Sequence, residues 1–257
     1  MGCCGCLSKN KGKASRGLSR KEGKNDVAIS QVEAALCELR ETEITYGEAL
    51  QYMVDKHLEA LRTEATFFDQ TELIAFNSLF LDLNIAQKEF MKKLTKFIVG
   101  PTKATFEDNL PEVICNVSDL FIEAEKGYFQ MYGRYVMVMS KVQKVISKEN
   151  GIEKIANFLE AKHNESVTGD VPKEFHILTM ESILTKPFQR MLLYPLIFER
   201  FEKKCEDGTT EKEKAQKAME GLRRIADIMT KYTEDNETNK ADYQKMLNEY
   251  GILEYKK

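Results

Sequence analysis

Three groups of residues in this chain are placed to do chemistry, and none reads as a covalent catalytic centre. Met1-Gly2 is followed by Cys3, Cys4 and Cys6. At such a start Gly2 would carry myristate and the neighbouring thiols palmitate, although Cys6 stands where the usual pattern has Ser or Thr. One myristoyl chain holds a membrane only marginally, with a constant of about 10⁴ M⁻¹, so a second chain or a polybasic patch must add to it. This tail offers both. Residues 1–24 carry seven Lys or Arg against Glu22 alone, a charge of +6, which leaves −9 on the rest of a chain whose formal net charge is −3. Each such cation near an anionic leaflet adds on the order of 1 kcal/mol. The tail holds no aromatic residue to stack on bases, so it is a poor match for nucleic acid. Two other readings stay open. The basic residues can simply solvate a disordered start, or Cys3-x-x-Cys6 can be half of a zinc or redox site, for which no second Cys/His pair lies nearby.

The second group is one residue, Glu43. It occupies a position of the heptad template traced by Ile29, Val32, Leu36, Leu39, Tyr46, Leu50 and Met53. An ionised carboxylate on an apolar seam is costly unless it is paired or left at an open edge. Glu43 therefore either snorkels out or meets a core Lys, or it is displayed beside the bundle for a partner. The third group is Gln189 and Arg190, polar residues inside an apolar run and flanked by Pro187 and Pro195. Ordinary enzyme chemistry finds no support. His57, His163 and His176 are scattered without H-E-x-x-H spacing, and neither a Gly-rich phosphate loop nor a nucleophile elbow occurs. No cofactor and no metal are expected.

The elements that must position these residues read as helices. Pro is scarce, at 5 in 257 residues, and Ala, Leu, Glu, Lys and Met dominate the middle of the chain. A first helix of about 30 residues starts near Val27 and is about 45 Å long. A second runs from Asp69–Glu72 to Val99 and stops at Gly100-Pro101. A third begins near Asn109, with Pro111 in its first turn, and continues to about Lys148 through Tyr128, Tyr132 and Tyr135. Those tyrosines read as packing rather than as a cofactor box. Residues 152–165 form a shorter helix and 166–172 a loop. Between Phe175 and Cys205 two interior prolines predict a long helix that is bent or interrupted. After the Asp207-Gly208 turn, Thr210-x-x-Glu213 reads as a capping box. A short helix near 240–250 closes the chain. The fold class is all-α, an elongated bundle of long helices. Cys37, Cys115 and Cys205 are too far apart in sequence to suggest a secreted disulfide framework, which points to the cytosol. No run reaches the length of about 18 apolar residues that spans a bilayer.

Three segments resemble the conserved regions of Dbl-homology (RhoGEF) domains. Glu38-Leu39-Arg40-Glu41-Thr42-Glu43-Ile44-Thr45-Tyr46 is similar to the family's E-L-x-x-T-E-x-x-Y. Leu79-Phe80 through Phe90-Met91-Lys92-Lys93-Leu94 follows the second region loosely. Leu184-Thr185-Lys186-Pro187-Phe188-Gln189-Arg190-Met191-Leu192-Leu193-Tyr194-Pro195-Leu196 is closely similar to L-x-K-P-x-Q-R-x-x-x-Y-P-L. The resemblance divides the chain into an acylated, disordered basic tail (1–26), a Dbl-homology domain (27–235) and a short helical extension (236–257) with no pleckstrin-homology domain.

The resemblance implies a guanine nucleotide exchange factor for a Rho-family small GTPase, acting without covalent chemistry. The first and third regions would lie side by side as the GTPase-binding surface. Glu43 would contact switch 1, with Glu38, Thr42, Lys186, Gln189 and Arg190 at or near the same face; Arg190 could equally be a structural ion-pair partner. Such a factor binds the nucleotide-free GTPase best, and by reciprocity it weakens nucleotide and Mg²⁺ affinity. Two positions depart from the family. Leu193 stands where a Lys or Arg usually meets switch 2, and Thr230 where an Asn is usual late in the last long helix. The chain is accordingly expected at the cytoplasmic face of a membrane, held by its tail to the anionic inner leaflet. Two alternatives remain: an exchange-deficient scaffold that binds the GTPase, and a structural helical bundle lying on membranes.

Overall fold

The heptad seam of the first motif lies on α1 (Ser19–Tyr52), the longest helix among the described residues. The computed structural model describes residues 19–64, 66–98, 109–146, 151–166 and 179–234. Gly2, Cys3, Cys4, Cys6, residues 167–172 of the expected loop and the helix expected near 240–250 lie outside these ranges. Helix α1 begins eight residues before the expected Val27, since no proline separates Ser19 from the seam and the single glycine there, Gly23, costs only about 1 kcal/mol. At 34 residues it is about 50 Å long. Its last turn opens into a π-helical segment, Met53–Leu58, which turns Met53, His57 and Leu58 into the interior before a single α turn, α2 (Glu59–Arg62).

Helix α3 (Gln70–Phe97) starts at the expected place. Asp69 accepts from the Glu72 amide at 2.7 Å, and Glu72 accepts from the Asp69 amide at 3.1 Å, a reciprocal cap. The single helix expected from Asn109 to Lys148 is instead two, α4 (Leu110–Glu125) and α5 (Gln130–Ile146). The break is a tight turn through Gly127, in which the Phe129 amide reaches back to Ala124 O at 2.9 Å. That turn puts Tyr128 and Phe129 into the core, a gain that periodicity alone does not show. Helix α6 (Gly151–Ser166) follows.

Helix α7 (Met180–Glu202) runs unbroken through Pro187 and Pro195. Of the two outcomes expected from the prolines, a bend or an interruption, the interruption does not occur. Both rings are buried among Ile183, Met191, Tyr194 and Phe198, and this packing offsets the cost of about 3 kcal/mol for an interior proline. Helix α8 (Thr210–Glu234) begins at Thr210 itself, so Thr209 rather than Thr210 takes the cap position; Gly208, at φ 78°, makes the turn before it.

The helices form an elongated all-helical bundle, with no strand among the described residues. Helix α8 packs against α4, α5 and α7, while α1 packs against α3 and α7. Phe121 is the hub of the core, with Phe90, Phe129, Tyr194 and Phe198 at ring centroid distances of 4.8–5.5 Å. No helix among the described residues is long and apolar enough to cross a membrane.

The face formed by α1 and α7

The first and third motifs come together because α1 and α7 pack side by side. Their contact is built around a buried carboxylate. Glu43 is fully buried, not at an open edge. Its Oε1 accepts from Arg190 Nε at 3.0 Å, from a second Arg190 guanidinium nitrogen, and from the Tyr194 hydroxyl at 2.5 Å. Its Oε2 accepts from Gln87 Nε2 at 3.4 Å, and the same amide donates to Glu43 O at 2.9 Å. Both oxygens are thus satisfied, which is the condition for a carboxylate to sit in the interior. Of the two readings of Glu43, the free domain shows the paired one, but the cation is Arg190 and not the expected Lys.

Arg190 is 6% exposed, and its guanidinium also lies over the Tyr194 ring, 4.8 Å from the centroid. Burial opposes its charge, but Tyr194 and Glu43 more than offset this and hold it protonated. Tyr194 is wedged between Phe121 and Phe129, at 5.1 and 5.4 Å. Burial, and after it the Glu43 charge, push its hydroxyl well above the usual range for tyrosine. A second set of hydroxyls lies behind it. Tyr132 donates to Tyr46 at 3.2 Å and shares a hydrogen bond of 3.0 Å with Tyr128. Tyr135 donates to the Leu184 carbonyl of α7.

The other residues singled out from the sequence are placed as follows. Glu38 lies one turn along from Thr42 on α1 and pairs with Arg200 of α7 at 2.5 Å, in an exposed bridge. Thr42 donates to its own helix, to Glu38 O at 2.6 Å. On α7, Lys186 is half-buried, Gln189 is exposed, and Leu193 is partly covered by the core. Thr230 lies on α8, which packs on α7, and its hydroxyl donates to Ala226 O at 2.9 Å. The structure therefore joins Glu43 to Arg190 across the packed helices α1 and α7, which also carry Glu38 and Thr42 on one side and Lys186, Gln189 and Leu193 on the other, and sets Thr230 on the adjoining helix. No cluster of His, Cys, Asp or Glu among the described residues is arranged to hold a metal.

Four residues of this face were given no role from the sequence, although Leu192, Tyr194 and Leu196 lie within the third motif. Gln87 sits on the apolar seam of α3 with Leu83, Phe90 and Leu94, just as Glu43 sits on that of α1. Two polar residues on two apolar seams were a signal that they meet. Tyr194 is one turn beyond Arg190 and shares its face. Leu192 and Leu196 are 44% and 53% exposed on the outer side of α7, one turn apart. Apolar runs in a sequence do not mark which leucines face water.

With this geometry in place, comparison with known proteins is informative. The model of the RhoGEF domain matches residues 35–230. The Drosophila melanogaster protein still life, isoform SIF type 1, is 26% identical over 219 residues, covering 84% of this chain and 10% of that protein. Human Rho guanine nucleotide exchange factor TIAM2 is 25% identical over 222 residues, covering 84% of this chain and 12% of that protein. The chain thus spans about a tenth of the length of these curated relatives. Among solved structures, the Vav1 exchange factor superposes with a TM-score of 0.57 at 24% identity, over 82% of this chain and 52% of that one. The PDZ-RhoGEF DH/PH domains, solved in complex with activated RhoA, superpose with a TM-score of 0.59 at 17% identity, over 86% of this chain and 57% of that one. At such identities the superpositions establish the fold, while the match over residues 35–230 establishes the family. This chain belongs to the RhoGEF (Dbl-homology) domain family.

Proposed function

We propose that this domain accelerates GDP release from a Rho-family small GTPase by binding its nucleotide-free state on the α1–α7 face. The observation that carries this reading is the lock between the two motifs. Glu43 of the first and Arg190 and Tyr194 of the third form one buried cluster, which fixes how α1 and α7 present their outer residues. A face set in advance binds a remodelled partner without first ordering itself. Glu38, Thr42, Lys186, Gln189 and Leu193 form this contact, and Thr230 borders it. Glu43 acts on the GTPase directly only if the partner's donors replace Arg190, Tyr194 and Gln87. In the free domain it is a positioning residue. The relatives named for Rho exchange, and the RhoA complex of a structural neighbour, support the choice of partner.

The mechanism needs no covalent step. A factor that binds the empty GTPase more tightly than the loaded one lowers nucleotide affinity by the same factor. Titrating nucleotide-free and GDP-loaded GTPases against the protein tests this. Tighter binding to the empty form, with faster release, is expected. Equal binding to both forms contradicts it. Tight binding without faster release favours the scaffold reading, for which Leu193 in place of a cation is the supporting observation.

The tail supports a second part of the proposal, attachment to the anionic inner leaflet through acylated Gly2 with Cys3, Cys4 and Cys6, which places the domain at the cytoplasmic face of a membrane. Its sequence joins acylation residues to a charge of +6. Mass spectrometry of the protein from a eukaryotic host tests it, and an unmodified Gly2 refutes it.

A further inference from the structure

The outward side of α3 joins an apolar half to a basic one. Ile74, Leu81, Ile85, Lys88, Lys92 and Lys96 recur at helical spacing along about 33 Å of this helix, opposite Leu79, Leu83, Phe90 and Leu94, which face the core. Ile74 and Ile85 are 57% and 60% exposed, more than any other large hydrophobic residue among the described ones. The three lysines are exposed too, with Glu89 as the one acid among them. Lys88 donates to the neutral Gln51 amide oxygen, and Lys96 makes no ion pair among the described residues, so neither charge is neutralised. Lys92 is bridged to Glu89 at 2.5 Å, but an exposed pair of this kind is worth little and gives way to a stronger anion. Asp82, on the flank of the stripe, is paired with Arg134 at 3.1 Å. An open depression of about 540 Å³, lined in part by Ile85, Lys88, Met91 and Lys92, lies where the two halves meet.

The direction of the stripe follows from its pairing with α1. Gln51 of α1 meets Asn84 at 3.0 Å, while Glu43 meets Gln87 at 2.9 Å, so the two helices run antiparallel. The basic end of α3 is therefore directed the same way as the start of α1, from which the cationic residues 1–18 lead off. Lysines beside exposed isoleucines suit a helix that lies in a membrane interface, with its cations at the anionic headgroups and its apolar groups at the acyl boundary. We propose that this stripe is a second membrane contact, in which Lys88, Lys92 and Lys96 meet anionic headgroups while Ile74 and Ile85 enter the interface. The tail and α3 together then set how the domain lies on the leaflet. This deepens the membrane reading and draws on it for the direction of the tail, yet it does not require acylation of Gly2. The stripe shares no residue with the α1–α7 face, so lipid and GTPase do not compete for the same side chains.

The chain contains no Trp, so a single introduced Trp reports alone. The test is equilibrium titration of the full chain, made without acyl groups in a bacterial host, with phosphatidylcholine vesicles that contain phosphatidylserine and a brominated, quenching lipid. At a salt concentration of about 0.1 M the Debye length is about 10 Å, so only charges near the leaflet contribute. Titration at equilibrium also registers weak partition that does not survive flotation. Trp fluorescence in Ile85→Trp, and in a second reporter, Ile74→Trp, should shift to the blue and be quenched, whereas Ile152→Trp on α6 should report water. In the Ile85→Trp background, replacing Lys88, Lys92 and Lys96 together by Ala should weaken partition at least about tenfold, since each lysine near an anionic leaflet is worth up to about fivefold. Replacing the exposed Lys154, Lys204 and Lys217 by Ala removes the same charge elsewhere and should weaken it less than about threefold.

Equal weakening by the two triple variants, with thermal melts showing both folded, overturns the second contact. So does a Trp at position 85 or 74 that stays in water while sedimentation shows the chain on the vesicles, or partition that is as strong without phosphatidylserine. Absence of any vesicle binding overturns it as well. A wild-type dimer that Ile85→Ser dissolves would assign the stripe to a second copy and overturn the proposal. Failure of the acyl anchor is read separately, from an unmodified Gly2 in protein made in a eukaryotic host, and leaves this titration unaffected.

Discussion

Replacing Glu43 by Gln isolates the charge of the buried cluster, because it keeps the shape of the side chain and removes only its ionisation. Arg190 would then stay protonated at 6% exposure with no counter-charge, while Tyr194 could still donate to an amide oxygen in the Oε1 position and Gln87 to the backbone carbonyl of residue 43. Breaking a buried pair from one side costs about 3–5 kcal/mol, because the surviving charge is left uncompensated. This is a large part of the roughly 5–15 kcal/mol that holds a typical domain together. Removing both charges is different. Glu43→Gln with Arg190→Met leaves a neutral polar group beside an apolar one and should recover much of the loss, with a coupling of about 2–3 kcal/mol between the sites. Urea unfolding of the two single variants and the double variant measures each quantity. With a slope of about 2 kcal/mol/M, Glu43→Gln should lower the midpoint by roughly 1.5–2.5 M. A cost below about 1 kcal/mol for Glu43→Gln, or a double variant whose loss equals the sum of the singles, would refute the cluster as the lock between α1 and α7.

The other predictions concern groups around that lock. Burial pushes the hydroxyls of Tyr46, Tyr128, Tyr132, Tyr135 and Tyr194 upward, whereas in the unfolded chain each ionises near its ordinary value. Above a pH of about 10 the folded form therefore holds more protons than the unfolded one, and stability falls by up to about 1.4 kcal/mol per pH unit for each such tyrosine. Thermal melts between pH 8 and 11 should show a steep alkaline loss, and a flat profile would contradict the buried hydroxyls. Gly47→Ala would bring a Cβ to 2.6 Å from Gln87 Oε1, displacing the amide that holds Glu43. Despite a gain of up to about 1 kcal/mol in helix propensity, a net loss of about 1–2 kcal/mol in urea unfolding is expected, and a stabilised variant would show that Gln87 moves freely. Gly2→Ala should abolish flotation of the protein from a eukaryotic host with anionic vesicles, and unchanged flotation would refute the acyl anchor.

The bundle was legible in the sequence where periodicity and end signals agree. Asp69 and Glu72 cap α3 as their spacing implies, and the seam through Leu36, Leu39, Tyr46 and Leu50 is the buried side of α1. It was illegible where long-range packing overrides a local rule. Pro187 and Pro195 do not break α7, since both rings lie in the core, and the turn at Gly127 divides a continuous helical pattern because Phe129 gains full burial. The site was half legible. The motifs identified Glu43 and Arg190, and the odd carboxylate on an apolar seam was a correct warning of an unusual environment. Periodicity could not decide whether that carboxylate faced a partner or a cation 147 residues away. That pairing depends on α1 and α7 lying side by side, which is a property of topology. The exposure of Leu192 and Leu196 was likewise hidden, because a leucine on a helix reads the same in sequence whether a neighbouring helix covers it or not.

The most direct test of the central claim is the release of fluorescent GDP from each Rho-family GTPase in excess unlabelled nucleotide, with and without the wild-type chain and a Gln189→Ala variant of the exposed α7 face. Release accelerated at least tenfold on one or a few members, and reduced in the Gln189→Ala variant, is the predicted result. Release at the intrinsic rate for every member, from protein whose melting transition shows it folded, would contradict exchange activity on the α1–α7 face.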